Sequence, residues 1–85
     1  MEEALVLGAL AFSFPRDLIN KMKRIPGVTD ANFVYGPYDF YAMVKTDTKE
    51  ELRDAVAQIR SIEGVQSPMT CNVVSMQPRR GSAKE

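Results

Sequence analysis

Lys23-Arg24-Ile25-Pro26-Gly27-Val28 and Arg60-Ser61-Ile62-Glu63-Gly64-Val65 decide the fold, because the second stretch echoes the first at an offset of 37 residues. In each, an isoleucine closes an amphipathic segment, a glycine accepts the left-handed backbone that ends a helix, and a valine opens an extended run. Two such junctions in a chain of 85 residues divide it into two βαβ halves. Right-handed crossovers put both helices on the same side of one sheet. The expected architecture is an α+β, ferredoxin-like βαββαβ sandwich: a four-stranded antiparallel sheet in spatial order fourth, first, third, second, with two helices on one face.

Working outward, Leu18, Ile19, Met22 and Ile25 recur at helical spacing behind Pro15, a residue tolerated in a first helical turn, so a helix is expected over 15–24. Ahead of it, Glu3 to Phe12 is almost continuously apolar, as in a strand covered on both faces, which places it centrally in the sheet. Val28 to Tyr35 forms the next strand, Gly36-Pro37 a tight connection, and Tyr38 to Val44 a strand hairpinned to it. Asp47-Thr48-Lys49-Glu50-Glu51 offers two overlapping capping boxes, Thr48 with Glu51 being the closer match. The helix that starts there carries Leu52, Ala55, Val56 and Ile59 on one stripe and runs over 49–62. Ser67 to Met76 is the last strand. From Gln77 the sequence is polar and aperiodic, so the folded domain is expected over 1–76 and a mobile tail over 77–85.

Composition narrows the function. Eleven basic residues balance eleven acidic ones, which removes the field that draws proteins to nucleic acid or anionic membrane. A single cysteine, Cys71, excludes an intrachain disulfide and a cysteine metal framework, and it fits a reducing, cytoplasmic setting. The apolar start is too short to span a bilayer and follows Glu2 and Glu3 rather than positive charge. With no histidine in the chain, Cys71 lacks the basic partner a nucleophile needs and reads as a core residue. Met22, Met43, Met69 and Met76 read as packing groups, and Glu50-Glu51 as first-turn charges favoured by the helix dipole. No catalytic residue, metal site or cofactor is expected.

Two inferences remain. The sheet face without helices exposes apolar strands, an association surface that a symmetric dimer would cover. The turn Gly36-Pro37-Tyr38-Asp39 is the best candidate site, since glycine lets backbone amides approach a ligand and a carboxylate takes charge-assisted hydrogen bonds. An ordinary hairpin, with Asp39 bonded to local backbone, is the plainer alternative.

Helix, Ile25-Pro26-Gly27-Val28, strand, Gly36-x-Tyr38-Asp39, apolar strand, acidic helix start and Ile62-x-Gly64-Val65, in this order and spacing, resemble the regulation-of-amino-acid-metabolism (RAM) domain. That is the effector-binding half of leucine-responsive/AsnC-type transcription regulators, and the resemblance covers about residues 3–76. It implies dimers joined sheet to sheet, rings of dimers, and a small amino acid bound between dimers. It further implies ligand contacts from Gly36, Tyr38 and Asp39 of one subunit and Thr70 of a neighbour. With the first strand beginning at Glu3, no room is expected for a DNA-binding helix-turn-helix, so the chain resembles a stand-alone domain acting through a partner, such as a DNA-binding relative. Two departures stand out: Pro68 replaces one of two threonines usual in the last strand, and Asn72 replaces an aliphatic residue.

Two rivals share the element order. An RNA-recognition module would need stacking aromatics where this chain has Pro37 and Asp39. A small dimeric monooxygenase-like or acylphosphatase-like enzyme would need a convergent polar cluster, and no arginine lies in the first strand to cradle a phosphate.

Overall fold

The structure, a computed structural model, describes residues 1–11 and 17–73. Six elements follow in the order β1 (Glu2–Leu10), α1 (Leu18–Lys23), β2 (Val28–Phe33), β3 (Phe40–Thr46), α2 (Lys49–Arg60) and β4 (Val65–Asn72). All strand pairs are antiparallel, and the sheet order is β2-β3-β1-β4. This is the expected ferredoxin-like arrangement, with the nearly unbroken apolar strand in the interior of the sheet.

The repeated junctions are the same turn built twice. After α1, Ile25 donates to Met22 O at 3.1 Å and Val28 to Ile25 O at 3.1 Å; after α2, Ile62 donates to Ile59 O at 3.2 Å and Val65 to Ile62 O at 3.1 Å. Gly27 has φ 99° and Gly64 φ 98°, values that an L side chain resists. A side chain at Gly27 would in addition meet Thr46 Cγ2 at 2.8 Å.

Alternation along the strands sorts the sheet into two faces. Val6 of β1, Ala31 of β2, and Phe40, Ala42 and Val44 of β3 are buried against Leu18, Met22, Ile25, Ala55 and Ile59 from both helices and the first junction, and Ala4 of β1 is buried too. Both helices therefore share one face. The other face carries Leu5 and Leu7 of β1 and Tyr41 and Met43 of β3, all half-buried, with Met69 46 % exposed and Cys71 exposed on β4. Cys71, expected in the core, stands instead on this helix-free face beside its ladder partner Leu5. Strand alternation, which its apolar character gave no means of phasing, sends it there.

Several bounds differ from the sequence reading. β2 ends at Phe33 rather than Tyr35, because the hairpin widens after the bond from Val34 N–H to Asp39 O, 2.9 Å. β3 begins at Phe40 and runs on to Thr46, where Glu2 and Glu3 of β1 still supply partners. β4 starts two residues early, at Val65, because the junction delivers it straight onto Leu10. Helix α2 stops at Arg60, with Ser61 as its C-cap. The expected start of α1 at Pro15, the end of β4 at Met76 and the tail lie outside the described residues.

The start of α2 is the expected capping box. Glu51 N–H donates to Thr48 Oγ1 at 3.1 Å, while Glu51 Oε1 accepts from Thr48 N–H at 3.3 Å. Each edge strand carries a bulge: Ser67-Pro68 is the extra pair opposite Gly8, and Thr29 interrupts the β2–β3 register.

At the centre, the Phe40 ring lies against the backbone of Gly8, its pairing partner. A methyl group at Gly8 would sit 2.8 Å from Phe40 Cε2 and 3.2 Å from Gln66 O. Since Phe40 is fully buried, its ring has little room to retreat, and Gly8→Ala should cost about 1–3 kcal/mol. Phe40→Leu alone should also destabilise, yet the double variant should be more stable than additivity requires, because the smaller side chain relieves the clash. Urea titration of the four proteins checks this, and strict additivity would show that the contact is not limiting.

Candidate functional site: a hairpin anchored to the central strand

The β2–β3 hairpin projects the turn Tyr35-Gly36-Pro37-Tyr38 from the end of the sheet. Tyr35 is 96 % exposed. Gly36 has φ 134°, and a Cβ there would meet nothing within 4 Å, so its conformation rather than crowding favours glycine.

Asp39 makes three hydrogen bonds, two that tie the turn to β1 and one that closes the hairpin. Its N–H donates to Gly8 O at 2.8 Å and its carbonyl accepts from Val34 N–H at 2.9 Å. Its carboxylate Oδ2 accepts from Leu10 N–H at 2.9 Å. The carboxylate thus takes the amide just beyond the last β1–β3 ladder pair, Gly8–Phe40. A charged acceptor makes this a strong bond, and it reaches across 29 residues of sequence.

Tyr38 is half-buried and its hydroxyl approaches Met69 Sδ at 3.7 Å. Met69 opposes Leu7, on the helix-free face, whereas Thr70 opposes Val6, on the helix side. Gly36, Tyr38 and Asp39 are therefore contiguous, but within one chain Thr70 is not brought to them. The turn also stands apart from two grooves that flank α2, one beside Gly27 and Lys45 and one beside Thr70.

The helix-free face holds a further polar contact, in which the Tyr41 hydroxyl donates to Asp30 Oδ2 at 2.6 Å. That bond and the neighbouring negative charge raise the Tyr41 pKa above its ordinary value of 10.0. The Lys45–Glu3 ion pair, 3.5 Å and partly exposed, contributes little. Among the described residues no group of three or more His, Cys, Asp and Glu side chains is placed to hold a metal ion, and no helix is long and apolar enough to cross a membrane.

The model of the Lrp/AsnC ligand binding domain matches residues 13–81. The chain belongs to the Lrp/AsnC ligand-binding-domain family. Among solved structures, the Lrp/AsnC fold of this chain is similar to TTHA0845 from Thermus thermophilus, with 35 % identity and a TM-score of 0.79 over 93 % of this chain and 100 % of that one. It is also similar to the hypothetical protein PHS023 from Pyrococcus horikoshii, with 30 % identity and a TM-score of 0.77 over 88 % of this chain and 92 % of the other. A feast or famine regulatory protein from M. tuberculosis, complexed with L-methionine, shares the fold at 20 % identity and a TM-score of 0.70; the match covers 88 % of this chain and 51 % of that protein. No curated protein sequence matches the chain.

The sequence marked residues 36–39 as a hairpin turn but missed the partner of Asp39. Nothing in the local pattern marks Leu10 as the donor, since the bond depends on how β1 and β3 end together. Asp39→Ala should therefore lower stability by about 1–3 kcal/mol through the unpaired Leu10 amide and speed hydrogen exchange at Leu10, with Asp39→Asn milder because it keeps an acceptor oxygen. An unaltered Leu10 exchange rate in Asp39→Ala would remove the anchor.

The Tyr41–Asp30 bond fixes a pH dependence and its sign. A group whose folded pKa is raised contributes its stability in full below the unfolded pKa and loses it as pH rises through the folded pKa. Its contribution should thus be complete below about pH 10 and vanish above the raised folded value. Ultraviolet titration of the phenolates should show one midpoint displaced upward, returning to the ordinary range in Asp30→Asn.

Proposed function

We propose that this domain binds a small amino-acid effector between dimers and passes that binding, through its state of assembly, to a partner that regulates transcription or amino-acid metabolism. The observation that carries the reading is the Lrp/AsnC ligand binding domain match over residues 13–81. The neighbour complexed with L-methionine supports the class of effector.

The fold supplies a reason to assemble. Leu5, Leu7, Met43, Met69 and Cys71 share the helix-free face, and packing two such faces at the ~10 Å spacing of stacked sheets would remove them from water. Dimers built this way then join as a ring, with the hairpins at their junctions. There Asp39 takes the ammonium group, backbone amides around Gly36 take the carboxylate, Tyr38 walls the cavity, and Thr70 of a neighbouring subunit contributes a hydroxyl. The Leu10 amide holds Asp39 Oδ2, which orients the carboxylate before any ligand arrives.

The domain acts in the cytoplasm as a binding module, not as a catalyst, and leaves DNA contact to a partner such as a DNA-binding relative. Its balanced charge and lack of histidine support that division of labour.

Sedimentation should find a dimer as the smallest stable species, and Leu7→Lys on the helix-free face should shift it to monomer; a wild-type monomer at micromolar concentration would sink the assembly argument. In a thermal-shift screen of the amino acids, the effector at about a hundred times its Kd should add about 2.7 kcal/mol to stability. Asp39→Asn, compared against its own ligand-free baseline, should bind on the order of tenfold more weakly. A flat screen would remove the effector reading.

A further inference from the structure

The groove between α2 and β4 that holds Thr70 continues along the strand to Asn72. It encloses about 740 Å³, with Leu52, Val56, Arg53 and Arg60 on the helix wall and Thr70 and Asn72 on the strand wall. An effector whose ammonium and α-carboxylate are held by a neighbour's hairpin, and which touches Thr70, has only its side chain left to enter this space. The lining of the groove therefore bears on which side chain that is.

Helix α2 sorts its charges by flank. Lys49, Arg53, Val56 and Arg60 fall within about 60° of arc at 100° per residue, and this is the flank turned to β4. Glu51 and Asp54 fall about 140–200° round from Lys49 and line the opposite groove, beside Gly27 and Lys45. Asp54 also reaches the rim of the β4 groove. The chain has no net charge, yet this groove has a basic wall. Among the described residues neither arginine is in an ion pair, the salt bridge there being Lys45–Glu3.

The strand wall is polar where carbon is the rule. Thr70 opposes Val6 and Asn72 opposes Ala4, so both side chains stand on the helix side of the sheet, where Val6 and Ala4 are fully buried. Thr70 and Asn72 are exposed instead. Since β1 is antiparallel to both β3 and β4, α2 runs against β4, which puts Arg60 towards the start of that strand and Arg53 towards its end. An adjoining groove of about 400 Å³ accordingly shares Leu52, Arg53 and Asn72 with this one, but neither Arg60 nor Thr70. Arg53 and Asn72 thus meet beyond Thr70, over a floor of half-buried Leu52 and Val56.

Surface arginines are commonly no more than solvated charges. Here one stands opposite a carboxamide at the inner end of a cavity whose outer end is the amino-acid site. A guanidinium offers a carboxylate two parallel hydrogen bonds, and the Asn72 amide can donate a third. A side-chain amide would turn its own N–H groups towards those donors, and an apolar side chain would leave them without an acceptor.

We propose that the effector is an acidic amino acid, its side-chain carboxylate taken by Arg53 and Asn72 and its methylene groups packed on Leu52 and Val56. The inference rests on binding between dimers at Asp39 and Thr70 and adds the class of side chain.

The test is an amide NMR titration of the full chain with L-glutamate and L-aspartate, and separately with L-glutamine, L-asparagine and L-methionine. One of the acids should move the resonances of Gly36 and Asp39 together with those of Arg53 and Asn72, and should bind at least tenfold more tightly than its amide or L-methionine. Arg53→Gln, an exposed substitution whose dispersed spectrum verifies the fold, should weaken that acid by on the order of tenfold or more and erase its advantage over the amide. Asn72→Leu should reduce the same advantage by less. Tighter binding of L-methionine or of an amide at Gly36 and Asp39 would overturn the proposal while leaving the effector site standing. An acid preference that survives Arg53→Gln would overturn the role of Arg53, and failure of every amino acid to bind would remove the effector site and this proposal together.

Discussion

The contact between the Phe40 ring and the bare backbone of Gly8 is the constraint on which the remaining geometry depends. It sets how closely β3 lies on β1, since the ring occupies the space where any side chain at residue 8 would stand. One residue earlier in the chain, Asp39 binds both Gly8 O and the Leu10 amide, so the same junction aims the hairpin. Core packing and the placement of the candidate site are thus one event. A change in how the ring seats would move the turn, because nothing but backbone separates them.

The twofold use of one helix-to-strand turn explains why so short a chain completes a sheet. Each half delivers an amphipathic helix to the same face, and the two share a single core through Val6, Ala42 and Val44. The opposite face then has no element of its own chain, among the described residues, to cover it. A domain of this size buries a limited fraction of its surface, and association over an apolar sheet is the simplest remedy.

What the residues made legible was whatever depended on local pattern. The Gly27 and Gly64 junctions, the Thr48–Glu51 cap and the interior position of β1 all follow from spacing and residue type, and strand order follows from crossover handedness. The family was legible too, because its signature is a sequence of such local pieces. What depended on how distant segments end together was not. The Leu10 bond to Asp39 spans 29 residues, and the side on which Cys71 falls is fixed by strand phase rather than by its chemistry. The turn at Gly36–Asp39 was foreseen as one unit, whereas the separation of Thr70 from it within a single chain follows from alternation along β4.

The bulges on the two outer strands bear on solubility. A sheet open at both edges offers unsatisfied backbone groups to any passing strand, which is how ordered aggregates start. In β4, Ser67 takes a φ of 47° and Pro68 has no N–H to offer, so the outer rim is broken where a foreign strand would first dock. In β2, the irregularity at Thr29 does the same at the opposite rim. An apolar sheet face invites contact with other chains, and blunted rims keep that contact from spreading edge to edge: fibrils have no template from which to extend.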